Sequence, residues 1–414
     1  MAEVKRKTWE KPWGYKESAA IVAGLMIIGV MLDMLSAAIV EMPVYPYNAI
    51  LGLVFMALIP CVYFSFRKIY VVRWLSEVPA CLGAIVLFSL IALAMAVVPQ
   101  VLEGQPTMVL KLNKLQGSWL FTISSIYLLT TLGLVVVRRI STFKVADIGF
   151  VASHLGMWIV VMAAGLSSSD LKRFQVAVEE GQTVNMAYDK DYSWHTLPFA
   201  IKLDDFSIDE FPAKLALVKS ATMEIESKVK NNLPLIEKGK LFKLKNFSIE
   251  IVEYLPSAKA DSSKGFVVSE DSLAVQAAFV KCFNNKTGQT KEAWINSSSP
   301  VQSAGVFYLD STYLLAMTLP EPKKFSSKIE ILVHNDIKKN VLLEVNKPFA
   351  IAGWKLYQTG YDKEKGKFSK LSIIEAVRDP WVPAVYLGII LSMAGIIISF
   401  WTKKKEKRLN TNGK

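Results

Sequence analysis

Asp147–Leu166 reads DIGFVASHLGMWIVVMAAGL. These twenty residues are almost wholly apolar and contain no Lys, Arg or Glu. About 20 residues at about 1.5 Å each cover the roughly 30 Å of a bilayer core. The chain then changes character. Ser167–Pro380 carries 29 Lys/Arg and 27 Asp/Glu, a nearly balanced and strongly polar stretch. The junction decides the fold class: a multi-span α-helical membrane protein with a large β-rich, antiparallel sandwich-like extracytoplasmic domain.

Working outward, five more segments qualify as spans: about Ser18–Val40, Asn48–Phe66, Pro79–Val98, Trp119–Val137 and Trp381–Trp401. The 414-residue chain is 52% hydrophobic, with a mean hydropathy of +0.32, which suits several spans and not an ordinary soluble protein of this size. The first apolar stretch is too long for a cleavable signal peptide and lacks a small-residue cleavage site. The net charge of +12 is concentrated in short loops and tails, which argues against nucleic acid as a partner. Lys5, Arg6, Lys7, Lys11 and Lys16 precede the first span; Arg67, Lys68 and Arg73 follow the second; Arg138, Arg139 and Lys144 follow the fourth. Lys403, Lys404, Lys405, Lys407 and Arg408 follow the last. Basic loops on alternate sides place both termini in the cytoplasm and the large domain outside. Trp13, Trp74 and Trp401 fall at inner interfaces, and Trp119 and Trp381 at outer ones. The expected organisation is a cytoplasmic N-terminus (1–17), a five-helix membrane region (18–166), a periplasmic β-rich domain (167–380), a sixth span (381–401) and a basic cytoplasmic tail (402–414).

In the polar domain, β-branched and aromatic runs predict strands at Phe174–Val178, Phe199–Ile208, Met223–Val229, Phe247–Tyr254, Ala274–Val280, Ile329–His334, Val341–Val345 and Trp354–Gln358. Gly265–Glu270 and Asn296–Ser303 read as loops. Cys282 is alone in this domain, while Cys61 and Cys81 lie in spans, so neither a disulfide framework nor a dithiol motif is encoded. A CxxCH haem-attachment site is absent.

His154 is the sharpest single residue, about seven positions into its span and so roughly 10 Å deep. Ionisable groups in spans are rare and usually functional, and imidazole is a common haem-iron ligand. The alternative is a neutral ring hydrogen-bonded to a carbonyl of a neighbouring helix. Gly149, Ala152 and Gly156 would admit either a flat macrocycle or another helix. Phe150 and Trp158, four residues to either side, are candidate walls for a haem or simple packing. Arg138 and Arg139 are candidate partners for propionates, or only topology determinants. His195 and His334 lie in the polar domain and read as hydrogen-bonded or solvated. Asp33 interrupts the first span and calls for a buried partner or an aqueous path. No triad, P-loop or dinucleotide fingerprint is present.

Four stretches together resemble the ResB (CcsB) family of System II cytochrome c biogenesis, in a Bacteroidetes-like version. They are WEKPWGYKES (Trp9–Ser18), the His-Leu-Gly at His154–Gly156, LPFAIKLDDFSIDEFP (Leu197–Pro212) and VNKPFAIAGWKLYQTGYD (Val345–Asp362). The last contains Trp354, Tyr357, Gln358, Gly360 and Tyr361, whose role is expected to be structural. The resemblance implies a bacterial inner-membrane location and His154 as axial ligand to haem b in transit. It implies a CcsA-like partner with a WWD haem loop, apocytochrome c as recipient, and an accessory, non-catalytic part in haem delivery and attachment at CxxCH. This chain has no WWD-like tract, so it resembles the separate ResB half. The competing expectation is a membrane-anchored scaffold or chaperone that binds a protein and never contacts haem.

Overall fold

A computed structural model describes residues 9–36, 39–100, 111–226, 233–333 and 337–411. His334 and the Asn231-Asn232 and Asn335-Asp336 turns lie outside the described residues. The chain divides into two compact units, Met1–Lys172 with Arg378–Lys414, and Arg173–Val377.

The first unit is helical: α1 (Tyr15–Leu35), α2 (Tyr47–Phe66), the short α3 (Tyr70–Leu75), α4 (Val78–Val97), α5 (Trp119–Ser141), α6 (Ile148–Asp170) and α7 (Val382–Thr411). All but α3 are long and apolar enough to cross a membrane. Large aliphatic side chains such as Ile27, Leu53 and Leu93 are exposed along them. So much contiguous apolar surface is stable only against lipid, and the protein is a multi-span membrane protein. The first helix stops at Leu35, short of the expected Val40; Ser36 is extended (φ −105°, ψ 115°). Ahead of α1, Trp13 packs edge-on against Trp9, Tyr70 and Trp74, with ring centroids 5.3–5.4 Å apart. WEKPWGYKES thus folds back on α3.

The described residues of the second unit form sixteen strands: β1 (Lys172–Glu179), β2 (Thr183–Tyr188), β3 (Trp194–Glu210), β4 (Leu215–Lys219), β5 (Leu241–Leu244), β6 (Phe247–Asp261), β7 (Gly265–Val268) and β8 (Val275–Asn284), then β9 (Thr290–Asn296), β10 (Phe307–Tyr308), β11 (Tyr313–Met317), β12 (Pro322–Val333), β13 (Ile337–Glu344), β14 (Phe349–Ile351), β15 (Trp354–Tyr361) and β16 (Leu371–Arg378). Eight form one sheet in the order β13-β12-β3-β2-β1-β16-β15-β14. β12 and β15 stand five places apart, roughly 24 Å in a flat sheet, yet Ser327 on β12 donates to Gln358 on β15 at 2.6 Å. The sheet therefore curls until it nearly closes, around a core that includes Ile201, Leu203, Ile331, Trp354 and Leu356. A second core, with Leu215, Phe247, Ile249 and Val280, lies between a three-stranded sheet (β10-β11-β4) and a five-stranded one (β5-β6-β8-β9, with β7 on β6). The expected β-rich, antiparallel domain is present, part sandwich and part curled sheet.

Two local expectations are corrected. Gly265–Val268 is a strand, not a loop, because it pairs with Ala258–Asp261 and seats Phe266 against Trp294. Met223–Val229 is not a strand over its described residues. Met223 takes a left-handed turn conformation (φ 55°), and only Ile225 bridges to a neighbour, Val218.

Candidate functional site

The loop between α5 and α6 is tied before the histidine is reached. Arg139 pairs with the buried Asp147 (Nη2–Oδ1 2.6 Å), and Asp147 Oδ2 accepts the Lys144 N–H at 3.1 Å. The Arg139 guanidinium lies 5.5 Å from the Phe150 ring centroid, a cation–π contact. Phe150 in turn stacks on the His154 imidazole, with centroids 3.9 Å apart and planes inclined by 23°. Arg138 turns elsewhere, donating to the Ser76 carbonyl and hydroxyl at 3.2 Å, with Glu77 3.8 Å away.

His154 is half-buried. Its Nδ1 sits 2.9 Å from the Phe150 carbonyl oxygen and 3.1 Å from Ser153 Oγ. A carbonyl only accepts, so Nδ1 carries the proton in the neutral ring and Nε2 keeps its lone pair. Among the described residues Nε2 has no hydrogen-bond partner. The partner expected for a merely structural His was a carbonyl on another helix; the observed one is on its own helix, four residues back. A ring nitrogen anchored to backbone with the other left basic is the arrangement by which proteins orient a metal-ligating imidazole. Among the described residues no three His, Cys, Asp or Glu side chains converge as a metal site.

The glycines do not furnish space for a macrocycle. A Cβ on Gly156 would stand 2.5 Å from the Gly388 carbonyl and Ser392 N, and one on Gly149 2.4 Å from Ser399 Oγ. From α7, a Cβ on Gly395 would meet Ser153 N at 2.2 Å. Gly149, Ser153 and Gly156 thus form one seam with Gly388, Ser392, Gly395 and Ser399, and Ser392 Oγ donates to the Ser153 carbonyl at 3.2 Å. Close backbone approach through small residues is how helices associate in lipid. At about 100° per residue, His154 points well away from this seam. Trp158, four residues on and only about 40° round the helix from His154, turns its ring to other partners. Its buried indole donates to the Leu129 carbonyl at 2.9 Å and stacks on Phe55, placing it in the α5–α2 packing. Of the two aromatic residues expected beside His154, only Phe150 touches the imidazole.

Asp33 is fully accounted for. Its carboxylate accepts the N–H groups of Trp119 (2.9 Å) and Leu120 (3.2 Å) and pairs with Lys111 at 3.5 Å. It thereby satisfies two free donors at the start of α5, where the helix dipole favours negative charge. Sequence reading missed its counterpart, Asp170. Asp170 accepts from Asn48 Nδ2 (2.7 Å), the Tyr45 N–H (2.9 Å) and Trp381 Nε1 (2.7 Å), joining the ends of α2, α6 and α7.

In the sheet domain, GWKLYQTGYD forms the turn and second strand of a hairpin. Ala352 (φ 48°) and Gly353 (φ 79°) make the two-residue turn between β14 and β15, where φ > 0 at both positions matches the strand twist. Trp354, Leu356 and Gln358 then point inward, while Lys355 and Thr359 are exposed. Gln358 meets Ser327 and Ser372 in a buried polar cluster, and a bulge at Gly360 turns Tyr361 onto Phe206 and Phe325. His195 Nε2 donates to Asp189 Oδ2 at 2.8 Å, and the ring stacks on Phe174; that hydrogen bond, with backbone N–H groups, holds the Asp189 carboxyl below its ordinary value. Burial pushes the Cys282 thiol up to about 11, which keeps it a thiol. Glu210 and Lys367, 3.8 Å apart and half-buried, are each driven toward neutrality by burial: the carboxyl is raised and the amine lowered.

Residues 266–376 match the ResB-like family. The matched segment begins in β7, ends in β16 and contains the whole GWKLYQTGYD hairpin. No curated protein matches the chain.

Proposed function

We propose that this chain is the separate ResB-type subunit of a System II cytochrome c synthase in the bacterial inner membrane. In this reading both termini are cytoplasmic and the sheet domain is periplasmic. Haem is cargo: it passes His154, whose Nε2 supplies one axial ligand, and is handed on through a CcsA-like subunit with a WWD loop. There the thiols of an apocytochrome CxxCH segment add across the haem vinyl groups. The role of this chain is positioning, which in such a reaction is most of what a protein can contribute.

One observation carries the reading. The imidazole of His154 is anchored through Nδ1 by its own helix and presents an uncommitted Nε2 at membrane depth. Because no second imidazole exists among the spans, the other ligand must come from another chain or a different side chain. The ResB-like match supports the placement in cytochrome c biogenesis. Arg139 remains about half exposed beside Phe150 and is the better candidate of the two arginines for a propionate contact.

The test is copurification of the intact chain with its partner. A Soret band should accompany the complex, fall sharply in His154→Ala and return when imidazole is supplied. Unchanged haem content in His154→Ala, with normal cytochrome c maturation, overturns the role of His154. The scaffold reading is favoured by one finding: Gly149, Gly156 and Trp158 are all consumed by helix packing. A complex with no Soret band at all would leave that reading standing.

A further inference from the structure

The hairpin between β2 and β3 ends in a tip built to display aromatic rings. Asp189 to Ser193 link Tyr188 to Trp194, which pair directly across the strands. Asp189 Oδ1 accepts the N–H groups of Asp191 and Ser193, each at 2.9 Å, and its Oδ2 engages His195. The Tyr192 N–H donates to the Asp189 carbonyl at 3.1 Å. These bonds hold Tyr192 in the left-handed region (φ 60°), a conformation that costs a non-glycine residue free energy. The rings so displayed form one cluster. Tyr188 and Tyr192 lie parallel with centroids 5.9 Å apart, and Trp194 meets Tyr188 edge-on at 5.7 Å. Tyr192 is 79% exposed and Trp194 66%.

The position of this tip within the domain says what covers it. β1 and β16 are neighbours and run antiparallel, since the Glu180 N–H at one end of β1 donates to the Lys370 carbonyl just before β16. The chain therefore enters the sheet at β1 and leaves it at β16 from the same end. Gln175, near the start of β1, pairs with Tyr188, so the tip continues past it at that end. Only Leu171 separates β1 from the spanning helix α6, and only Asp379–Trp381 separate β16 from α7. Lys172 and Arg173, both exposed, put cations at the same level.

We propose that this tip is a membrane-interface anchor. Tyr192 and Trp194 sit among the lipid headgroups and uppermost acyl carbons of the bilayer that α6 and α7 cross. Rings with an apolar body and a single polar atom settle at that boundary, and a rigid hairpin presents them with little loss of freedom. The inference is independent of haem.

The test uses the full chain in phosphatidylcholine–phosphatidylglycerol proteoliposomes, with and without acyl-brominated phosphatidylcholine. Trp194→Phe keeps a ring at an exposed site, so the emission lost relative to the parent protein is that of Trp194. That difference emission should be blue-shifted, mostly quenched by the brominated lipid and protected from aqueous iodide. Trp294→Phe serves as the control, whose difference emission the brominated lipid should leave intact. Iodide-accessible Trp194 emission that ignores brominated lipid overturns the proposal, showing a solvated tip. Emission reached by neither quencher also overturns it, showing a tip covered by protein.

Discussion

The sheet domain and the helix bundle bury side chains by opposite rules. In the domain, alternation sends large apolar residues inward: Leu197, Phe199, Ile201 and Leu203 face the core until a bulge at Asp204–Asp205 shifts the phase to Phe206. In the bundle many large residues, Ile27, Leu53 and Leu93 among them, point outward, and the smallest ones make the closest contacts, as along the Gly149–Gly156 seam with Gly388 and Gly395. Solvent explains the reversal. Water drives the first kind of core together, whereas lipid is as apolar as leucine and leaves backbone proximity and a few polar contacts to hold helices.

Four substitutions separate these rules. The largest effect belongs to Trp354→Ala, which empties the centre of the curled sheet and should cost about 3–5 kcal/mol. Its signature is a lowered unfolding midpoint of the domain, read by protease resistance of the full chain. Next, Gly395→Ile forces a branched side chain into backbone atoms of α6 and should cost about 1–3 kcal/mol or more. Thermal melting in detergent measures it, and an unshifted midpoint would mean the seam contributes little. Third, Asp33→Asn keeps the shape but removes the charge that faces Lys111 and the start of α5, for about 1–2 kcal/mol in the same assay.

The smallest effect is a pH dependence. The folded pKa of Glu210 lies above its ordinary value of 4.5, so the native state binds this proton more tightly than the unfolded chain does. Domain stability contributed here should therefore fall as pH rises from below 4.5 through the raised value, and then level off. Glu210→Gln should abolish that slope, as urea titrations of the full chain at several pH values would reveal. A parent protein with no such slope would mean that Lys367 fully offsets the burial.

How far the sequence could be read depended on solvent as well. The six spans are visible because lipid demands an uninterrupted apolar run, and their helices differ from expectation mainly at the ends. Several strands were hidden. β4 (LALVK) and β11 (YLLAM) are short, apolar on both faces and buried, so they show no period of two. β7 was hidden because Gly265 reads as a turn residue while Phe266 depends on the distant Trp294. His154 was legible as an oddity, but its tautomer was not, since that is set by the geometry of the Phe150 carbonyl. Asp170 went unnoticed because its partners, Asn48 and Trp381, are remote in sequence and single polar residues at span ends look merely solvated.

The glycine seam acts as a ruler. Its notches recur every seven residues, at Gly149 and Gly156 on one helix and Gly388 and Gly395 on the other. Sliding α6 along α7 by anything less than about 10 Å would drive side chains into backbone. The depth of the imidazole below the bilayer surface is therefore indexed to α7, and gradual axial travel is ruled out. Any cargo that reaches this nitrogen must itself do the moving.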